Sequence, residues 1–268
     1  MIAVYAMGGG LGHLARARRV LRALGHADAP AAILTASPLA RGPDIVRVPR
    51  RLAHSRTEFA AWLKRTLRAL APSKVVVDAF PLGILGELAD PGVLPEVPLI
   101  HVARLLKWEA YRKAFAGVPR SYETSFSVET LVPAHEEFLA AHSGAIRSLE
   151  LPVENSRQSD PFKRPVWLVV HSGPAAEVHK LLDISQKRTK IENTSPQFVV
   201  VSPRALDLPA GVTRMAHERA WELFPHVERI VTGCGFNSML ETRPWRAKHL
   251  FLPFERRFDD QALRALRA

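Results

Sequence analysis

The sequence predicts an α/β protein built from two units of mostly parallel sheet, and three observations support this prediction. Short apolar runs alternate with amphipathic helical stretches along most of the 268 residues. Two of these runs, 2–7 and 166–171, lead into glycine-containing turns that precede a helix. A polar, proline-bounded segment, 152–165, lies between the two alternating halves and is predicted to be a linker. Strands that alternate with helices are typical of a parallel sheet covered on both faces.

The first half shows the alternation clearly. Strands are expected at 2–7, 31–36, 45–48, 74–80, 97–103 and 146–151. A helix is expected after His13 with a cap at Gly25, and further helices are expected at 58–70, 82–88 and 135–142. The rest of 105–143 lacks a clear period, and we expect an excursion towards the substrate there.

The second half repeats the pattern on a smaller scale. Strands are expected at 166–171, 198–202, 212–215, 230–232 and 250–253. Helices are expected at 175–185 and 220–224, after Gly235, and after Asp260. Because ligands of such sheets lie at the carboxyl ends of the strands, the glycine turns are the first places to look for a site.

Composition and charge limit the classes of function. Hydrophobic residues make up 47% and charged residues 24%, which is ordinary for a soluble globular protein. No apolar run approaches the roughly 20 residues of a membrane span, and the N-terminal residues do not resemble a signal peptide. The single cysteine, Cys234, excludes an intramolecular disulfide and suits a reducing, cytoplasmic location. The net charge of +11 is spread along the chain, so a nucleic-acid partner is not expected.

The segment 232–261 carries the most chemistry. Gly233 and Gly235 allow backbone N–H groups to approach a ligand, and Asn237 and Ser238 lie near the first turn of the next helix. A helix start of this kind favours an anion such as a phosphate. Glu241, one turn later, can accept hydrogen bonds from vicinal hydroxyls.

An acid–amide pair, Asp260 and Gln261, follows the last apolar run and can bind further hydroxyls. A phosphate site, a hydroxyl acceptor and a second polar pair together indicate a nucleotide-sugar ligand.

The N-terminal turn offers a candidate base. Gly10 and Gly12 precede His13 at the carboxyl end of the first predicted strand, where a neutral imidazole can accept a proton near physiological pH. Asp78 ends another predicted strand, and it either orients His13, meets an acceptor, or caps the next turn. His101 is expected to be structural.

The turn after the first strand of the second half has two interpretations. The segment 171–174, which begins with His171 and includes Ser172 and Gly173, either contacts a diphosphate or simply forms a tight turn.

These motifs resemble those of nucleotide-sugar glycosyltransferases with the two-domain GT-B fold. Residues 10–16, GLGHLAR, are similar to the GxGHxxR turn of several bacterial branches, and by this resemblance Gly10, Gly12 and Arg16 would bind the substrate. The segment 232–261 is similar to the donor-site pattern S/T-G-x-G…E…P…DQ. The resemblance implies two Rossmann-like domains facing across a cleft. The acceptor-side domain is expected at 1–155 and a short donor-binding domain at 163–268.

The resemblance also implies residue roles. Residues 233–238 would hold the diphosphate, Glu241 the ribose hydroxyls, and Asp260 with Gln261 the donor sugar. His13 would be the general base in a single displacement at the anomeric carbon. The donor would be a UDP-sugar by analogy, and the family requires neither a cofactor nor a metal.

Several alternatives stay open. The chain ends seven residues after Gln261, earlier than is usual in this family. A compact nucleotide-sugar hydrolase that uses water as acceptor is therefore one alternative, and a non-catalytic nucleotide-sugar-binding subunit is another. The basic excess is compatible with a lipid-linked or cell-envelope saccharide acceptor, with peripheral contact at a membrane, or with a partner subunit.

A dinucleotide-dependent oxidoreductase is disfavoured, although residues 10–15 fit G-x-G-x-x-A. That fold needs an acid at the end of the second strand, where Ser37 stands.

Overall fold

A computed structural model of the chain describes residues 1–8, 10–154, 159–217 and 219–268. Gly9 and part of the predicted linker, 155–158, lie outside the described residues. The chain divides into two compact units: Met1–Pro152 with Arg257–Asp259, and Val153–Arg256 with Asp260–Ala268.

The first unit is organised around a seven-stranded sheet in the order β3-β2-β1-β4-β5-β6-β7, in which all neighbouring strands pair in parallel. The strands are β1 (Ile2–Tyr5), β2 (Ala31–Thr35), β3 (Ile45–Arg47), β4 (Lys74–Asp78), β5 (Leu99–Ala103), β6 (Thr124–Ser127) and β7 (Ile146–Ser148). Its α-helices are α1 (Gly12–Ala23), α2 (Arg56–Leu70), α3 (Trp108–Ala114) and α4 (Pro133–His142).

Helix α2 shows how local sequence and core packing agree. Ser55 begins it, and the Ser55 hydroxyl accepts a hydrogen bond from the Glu58 N–H at 3.3 Å. Its apolar side chains Phe59, Leu63 and Leu67 are buried in the same core cluster as the inner residues of β1 and β4. The helical spacing of these residues predicted that face from sequence.

The segment 257–259 completes the first unit. The Lys107 N–H donates to the Phe258 carbonyl at 2.8 Å, and Leu106 forms an antiparallel bridge with Asp259. The Phe258 ring packs in an aromatic cluster with Phe80, Tyr111 and Phe115.

The second unit contains a five-stranded parallel sheet in the order β10-β9-β8-β11-β12. Its strands are β8 (Val166–Val170), β9 (Gln197–Val201), β10 (Val212–Met215), β11 (Arg229–Gly233) and β12 (His249–Leu252). Its α-helices are α5 (Ala175–Glu192), α6 (Phe236–Glu241) and α7 (Gln261–Leu266). The central strand β8 is buried and supplies Trp167, Leu168 and Val169 to the core.

Two parallel sheets with intervening helices confirm the predicted α/β class. The irregular region between β5 and β7 contains α3 and β6, which the sequence did not resolve. The helix predicted at 82–88 is wrong, because only Glu87–Ala89 form a short 3-10 turn. Gly83 and Gly86 there adopt positive φ angles of 86° and 82°, which interrupt a helix.

None of the helices in the described residues has both the length and the apolar character that crossing a bilayer requires.

Each sheet has one point where the strand order reverses. In the first sheet the chain proceeds from β1 to β2 on one side and later continues at β4 on the other, so the reversal lies between β1 and β4. In the second sheet it lies between β8 and β11. Ligands of open α/β sheets bind at the carboxyl ends of the strands beside such a reversal.

Candidate active site

His13 and Asp78 meet at the strand reversal of the first sheet. His13 lies in the first turn of α1, after β1, and Asp78 is the last residue of β4. The Nδ1 atom of His13 lies 2.7 Å from Oδ2 of Asp78. The structure therefore brings together the two side chains that the sequence proposed as catalytic.

Arg16 completes this group as a His13–Asp78–Arg16 triad. Its Nε donates to Oδ1 of Asp78 at 2.6 Å, and its Nη2 donates to Oδ2 at 2.7 Å. Arg16 and Asp78 are only 3% and 2% exposed, so this bidentate pair is shielded from solvent. Burial alone would raise the pKa of Asp78. The Arg16 guanidinium and the His13 hydrogen bond outweigh burial and hold that pKa well below its usual range.

The ionised carboxylate determines the tautomer of His13. Nη2 of Arg16 also lies 3.0 Å from Nδ1 of His13, but Asp78 is closer, at 2.7 Å, and can only accept. Nδ1 of His13 therefore carries the hydrogen and Nε2 keeps its lone pair. Among the described residues, Nε2 makes no hydrogen bond. Burial lowers the pKa of His13, and the nearby Arg16 adds to this effect while the Asp78 hydrogen bond opposes it. The result is a neutral imidazole with an available basic nitrogen.

Gly8 and Phe80 shape the space around the His13 ring. A Cβ atom at Gly8 would lie 2.1 Å from Cδ2 and 2.5 Å from Nε2 of His13. The ring of Phe80 stacks against the His13 ring with a centroid distance of 5.9 Å. The sequence indicated only that the glycine run served backbone geometry, and it gave no signal for Phe80.

The predicted glycines of this turn differ in their surroundings. A Cβ atom at Gly10 would meet nothing within 4 Å, and Gly12 is the first residue of α1. Their expected role towards a ligand stays a prediction.

The turn between β11 and α6 has close packing around its glycines. Gly233 ends β11, and a Cβ atom there would lie 3.0 Å from the Phe254 ring and 3.2 Å from Cε1 of His171. Asn237 and Ser238 lie in the first turn of α6, which ends at Glu241. All these residues belong to the second unit, and their roles towards a ligand stay predictions.

The acid–amide pair after β12 has structural contacts. Oδ1 of Asp260 accepts the Leu263 N–H at 3.0 Å and so caps α7. Gln261 is buried, and its Oε1 accepts the Phe254 N–H at 3.0 Å. Its Nε2 lies 4.0 Å from the Cβ position at Gly235. Gln261 thus packs against the glycine turn. The proposed roles of Asp260 and Gln261 in binding a sugar stay predictions.

The turn after β8 contains a feature that the sequence missed. Nε2 of His171 lies 2.6 Å from Oε2 of Glu177, and Arg256 donates two hydrogen bonds of 2.6 Å to the same carboxylate. A Cβ atom at Gly173 would lie 2.3 Å from Nε2 of His171, so glycine is required there for space. The backbone oxygen of Ser172 accepts Nε of Arg204 at 3.0 Å. Glu177 could have been recognised from the sequence as an acidic residue in the first turn of the predicted helix. Nothing in the sequence indicated that Arg256 would contact it.

Comparison with known proteins shows the fold. No family model and no curated protein matches the sequence. The structure of spinosyn rhamnosyltransferase SpnG complexed with thymidine diphosphate matches with a TM-score of 0.55 and 14% identity, over 97% of this chain and 82% of that chain. UDP-N-acetylglucosamine 2-epimerase from Rickettsia bellii matches with a TM-score of 0.58 and 11% identity, over 100% of this chain and 87% of that chain. The chain has a GT-B glycosyltransferase-like fold.

MurG from Acinetobacter baumannii also has this fold, with a TM-score of 0.50 and 13% identity over 94% of this chain and 77% of that chain. The GT-B-like fold thus occurs both in transferases and in an epimerase of a nucleotide-sugar. At these identities the similarity is one of fold alone, and a shared fold does not identify the chemistry of this chain.

Proposed function

We propose that this protein transfers a sugar from a nucleotide diphosphate-sugar to an acceptor hydroxyl, with His13 as the general base. The observation that carries the proposal is the His13–Asp78–Arg16 triad at the strand reversal of the first sheet. It presents a neutral imidazole whose Nε2 makes no hydrogen bond among the described residues.

The triad has the properties that base catalysis needs. Nε2 of His13 removes the proton of the acceptor hydroxyl while the acceptor oxygen bonds to the anomeric carbon. The bond from that carbon to the diphosphate oxygen breaks, and its electron pair leaves with the nucleoside diphosphate. Asp78 stabilises the imidazolium that forms, and Arg16 keeps Asp78 ionised and in position.

The donor is assigned to the second unit, and the acceptor side to the first, following the domain roles proposed for 163–268 and 1–155. In this proposal the Gly233–Ser238 turn holds the diphosphate, Glu241 the ribose, and Asp260 with Gln261 the sugar. The thymidine diphosphate named in the SpnG complex and the UDP-sugar named for the epimerase support a nucleotide-sugar ligand. A UDP-sugar is the first donor to test.

The experiment measures nucleoside diphosphate release from UDP-, GDP- and TDP-sugars, with and without a panel of saccharide acceptors. We expect acceptor-dependent release by the wild type and loss of roughly 10²–10⁴-fold in His13→Ala. His54→Ala is the matched control, because His54 is an exposed histidine of the same unit. Equal turnover in His13→Ala and wild type would contradict the base assignment.

The same experiment tests the acceptor and the donor separately. Rapid His13-dependent release without any acceptor would replace the transferase proposal by a hydrolase that uses water. Donor binding is followed as thermal protection, since a ligand at about 100 times its Kd stabilises the folded state by roughly 2.7 kcal/mol. If no nucleotide-sugar is cleaved and none protects the protein, the proposed function is wrong.

A further inference from the structure

A second group of histidine, carboxylate and arginine lies at the strand reversal of the second sheet. His171 follows β8, and Gly233 ends β11, so the two residues flank this reversal. Glu177 in the first turn of α5 contacts His171, and Arg256 after β12 contacts Glu177. We call this group the His171–Glu177–Arg256 triad. It contains the same three kinds of group as the His13–Asp78–Arg16 triad of the first unit, although here Nε2 of the histidine contacts the carboxylate.

The His171 ring is held closely from several sides. Its Cε1 atom lies 3.2 Å from the Cβ position of Gly233, and its Nε2 lies 2.3 Å from that of Gly173. The Phe254 ring packs against it with a centroid distance of 5.1 Å. The histidine side chain is 11% exposed. The ring therefore has a fixed orientation between two glycine-containing turns, at the place where ligands of such sheets bind.

The contacts of His171 determine what its second nitrogen can do. Burial tends to raise the pKa of Glu177, but Arg256 and His171 outweigh it and lower that pKa, so the carboxylate is ionised. Nε2 of His171 must therefore carry a hydrogen and donate to Glu177. Nδ1 forms no hydrogen bond among the described residues. A neutral His171 can only accept at Nδ1, whereas a protonated His171 can donate there.

Three charged groups act on the protonation of His171. Burial lowers its pKa most strongly, Glu177 raises it, and Arg256 and Arg204 lower it. The net result is a pKa below the ordinary value, so free His171 is mostly neutral at pH 7. A bound phosphate oxygen at Nδ1 would add a second negative group and favour the protonated form.

We propose that His171 is a proton-linked contact for the diphosphate of the nucleotide, binding a phosphate oxygen through Nδ1–H, with Glu177 and Arg256 as its positioning residues. Glu177 stabilises the imidazolium through Nε2, and Arg256 compensates the charge of Glu177. Arg204, which donates to the Ser172 backbone oxygen, is close enough for its charge to act on His171. The inference rests on the proposed function, because it refines how the same donor is held.

The test is calorimetric binding of UDP, GDP and TDP at pH 6, 7 and 8, each in two buffers with different ionisation enthalpies. We expect the wild type to take up a fraction of a proton with the nucleotide at pH 7 to 8, and to bind more tightly at pH 6. His171→Ala should bind the diphosphate at least about tenfold more weakly, since a hydrogen bond to a charged group is lost. The corresponding nucleoside, which lacks phosphate, should bind both proteins equally.

Two further variants separate this role from a structural one. His171→Gln retains hydrogen-bonding capacity but cannot titrate, so its proton uptake should disappear. His179→Ala is the matched control, because His179 is an exposed residue of the same helix as Glu177 and, within the described part of the chain, hydrogen-bonds to the Asp207 backbone oxygen alone. It should keep wild-type affinity and proton uptake.

The outcomes distinguish this inference from the proposed function. If no nucleoside diphosphate binds the wild type, the proposed function fails. If the wild type binds and His171→Ala binds equally well, only the present inference is overturned. Binding without proton uptake by the wild type would overturn the proton linkage in the same way.

Discussion

At the scale of single residues, the position of the candidate base His13 depends on the absence of a Cβ atom at Gly8. The His13 ring occupies the position that a Cβ of residue 8 would take, and it is fixed there by Asp78 and by stacking on Phe80. The sequence could predict His13 and Asp78, because His13 follows an apolar strand, Asp78 ends another, and both side chains can transfer or bind protons. It could not predict the need for Gly8, because contact between residues 8 and 13 is known only once the ring orientation is known.

Gly8→Ala should therefore reduce turnover without unfolding the protein. The new methyl group would displace the His13 ring and break its 2.7 Å contact with Asp78. A displacement of about 1 Å in a catalytic group can cost about 10²-fold in rate. Steady-state turnover and a thermal melt of the same sample measure the two quantities. Wild-type turnover in Gly8→Ala would show that the His13 position is not needed.

The pH profile of the reaction should reflect the lowered pKa of His13. The pKa of His13 lies below the ordinary value of 6.5, so the imidazole is neutral and active at every pH above its own pKa. Activity should be lost only as the pH falls through that lowered pKa. The acid limb of kcat/KM should therefore lie below pH 6.5. A limb at or above the ordinary histidine pKa would exclude this environment for the base.

At the scale of elements, the carboxyl end of β11 is held by a directed chain of hydrogen bonds. Nη1 of Arg246 lies 2.8 Å from Nδ1 of His249, and since arginine only donates, Nδ1 must accept. Nε2–H of His249 then donates to Oγ1 of Thr232 at 2.9 Å. The Thr232 hydroxyl donates to the Gly233 carbonyl at 2.9 Å. The chain thus links β12 to the turn that begins the proposed donor site.

Replacing Thr232 by valine should destabilise the second unit. Valine keeps the volume but leaves the buried His249 Nε2–H without an acceptor, which costs about 1–3 kcal/mol. Urea unfolding of the variant measures the loss. Thr213→Val is the control, because the Thr213 side chain is exposed and its hydroxyl accepts a 3.3 Å hydrogen bond from Gln197. A loss no larger than that of the control would contradict the role of the chain.

The elements themselves were largely predictable, and the exceptions have physical reasons. Apolar runs such as those of β4 and β8 are buried on both faces, which makes them clear in the sequence. Residues 82–88 also looked helical because they are apolar. There the backbone N–H groups of Ile84 and Leu85 donate to Tyr5 and Glu87 side chains instead of to a helix ladder. Tyr5 is far away in sequence, so only the fold could show this competition.

At the scale of the whole molecule, three buried histidines make stability depend on pH. His101 and His135 are fully buried in the first unit, and His249 is buried in the second. Burial lowers the pKa of His101 to about 4 and that of His135 to about 3, and burial with the nearby Arg246 lowers that of His249 to about 3. The unfolded chain binds protons at these residues near pH 6.5, whereas the folded chain does not.

Both units should therefore lose stability as the pH falls from about 6.5 towards 4. Between these pH values, each of the three histidines lowers the free energy of unfolding by up to about 1.4 kcal/mol for every pH unit of acidification. His135→Phe should give a flatter dependence, because phenylalanine retains a ring against Trp108 but cannot titrate. Urea unfolding at pH 7.5, 6.5, 5.5 and 4.5 measures both slopes. Identical slopes would show that His135 is not buried in its neutral form.

The place of residues 257–259 in the first unit has a consequence for how the chain is made. Every strand of the first sheet has been synthesised once Ser148 is added to the chain, yet Phe258 follows the whole of the second sheet. Until then the aromatic cluster around Phe80, the ring that stacks on His13, lacks one of its members. During translation the first unit therefore acquires its strands early and its final packing late, so the surroundings of the candidate base are among the last parts to form.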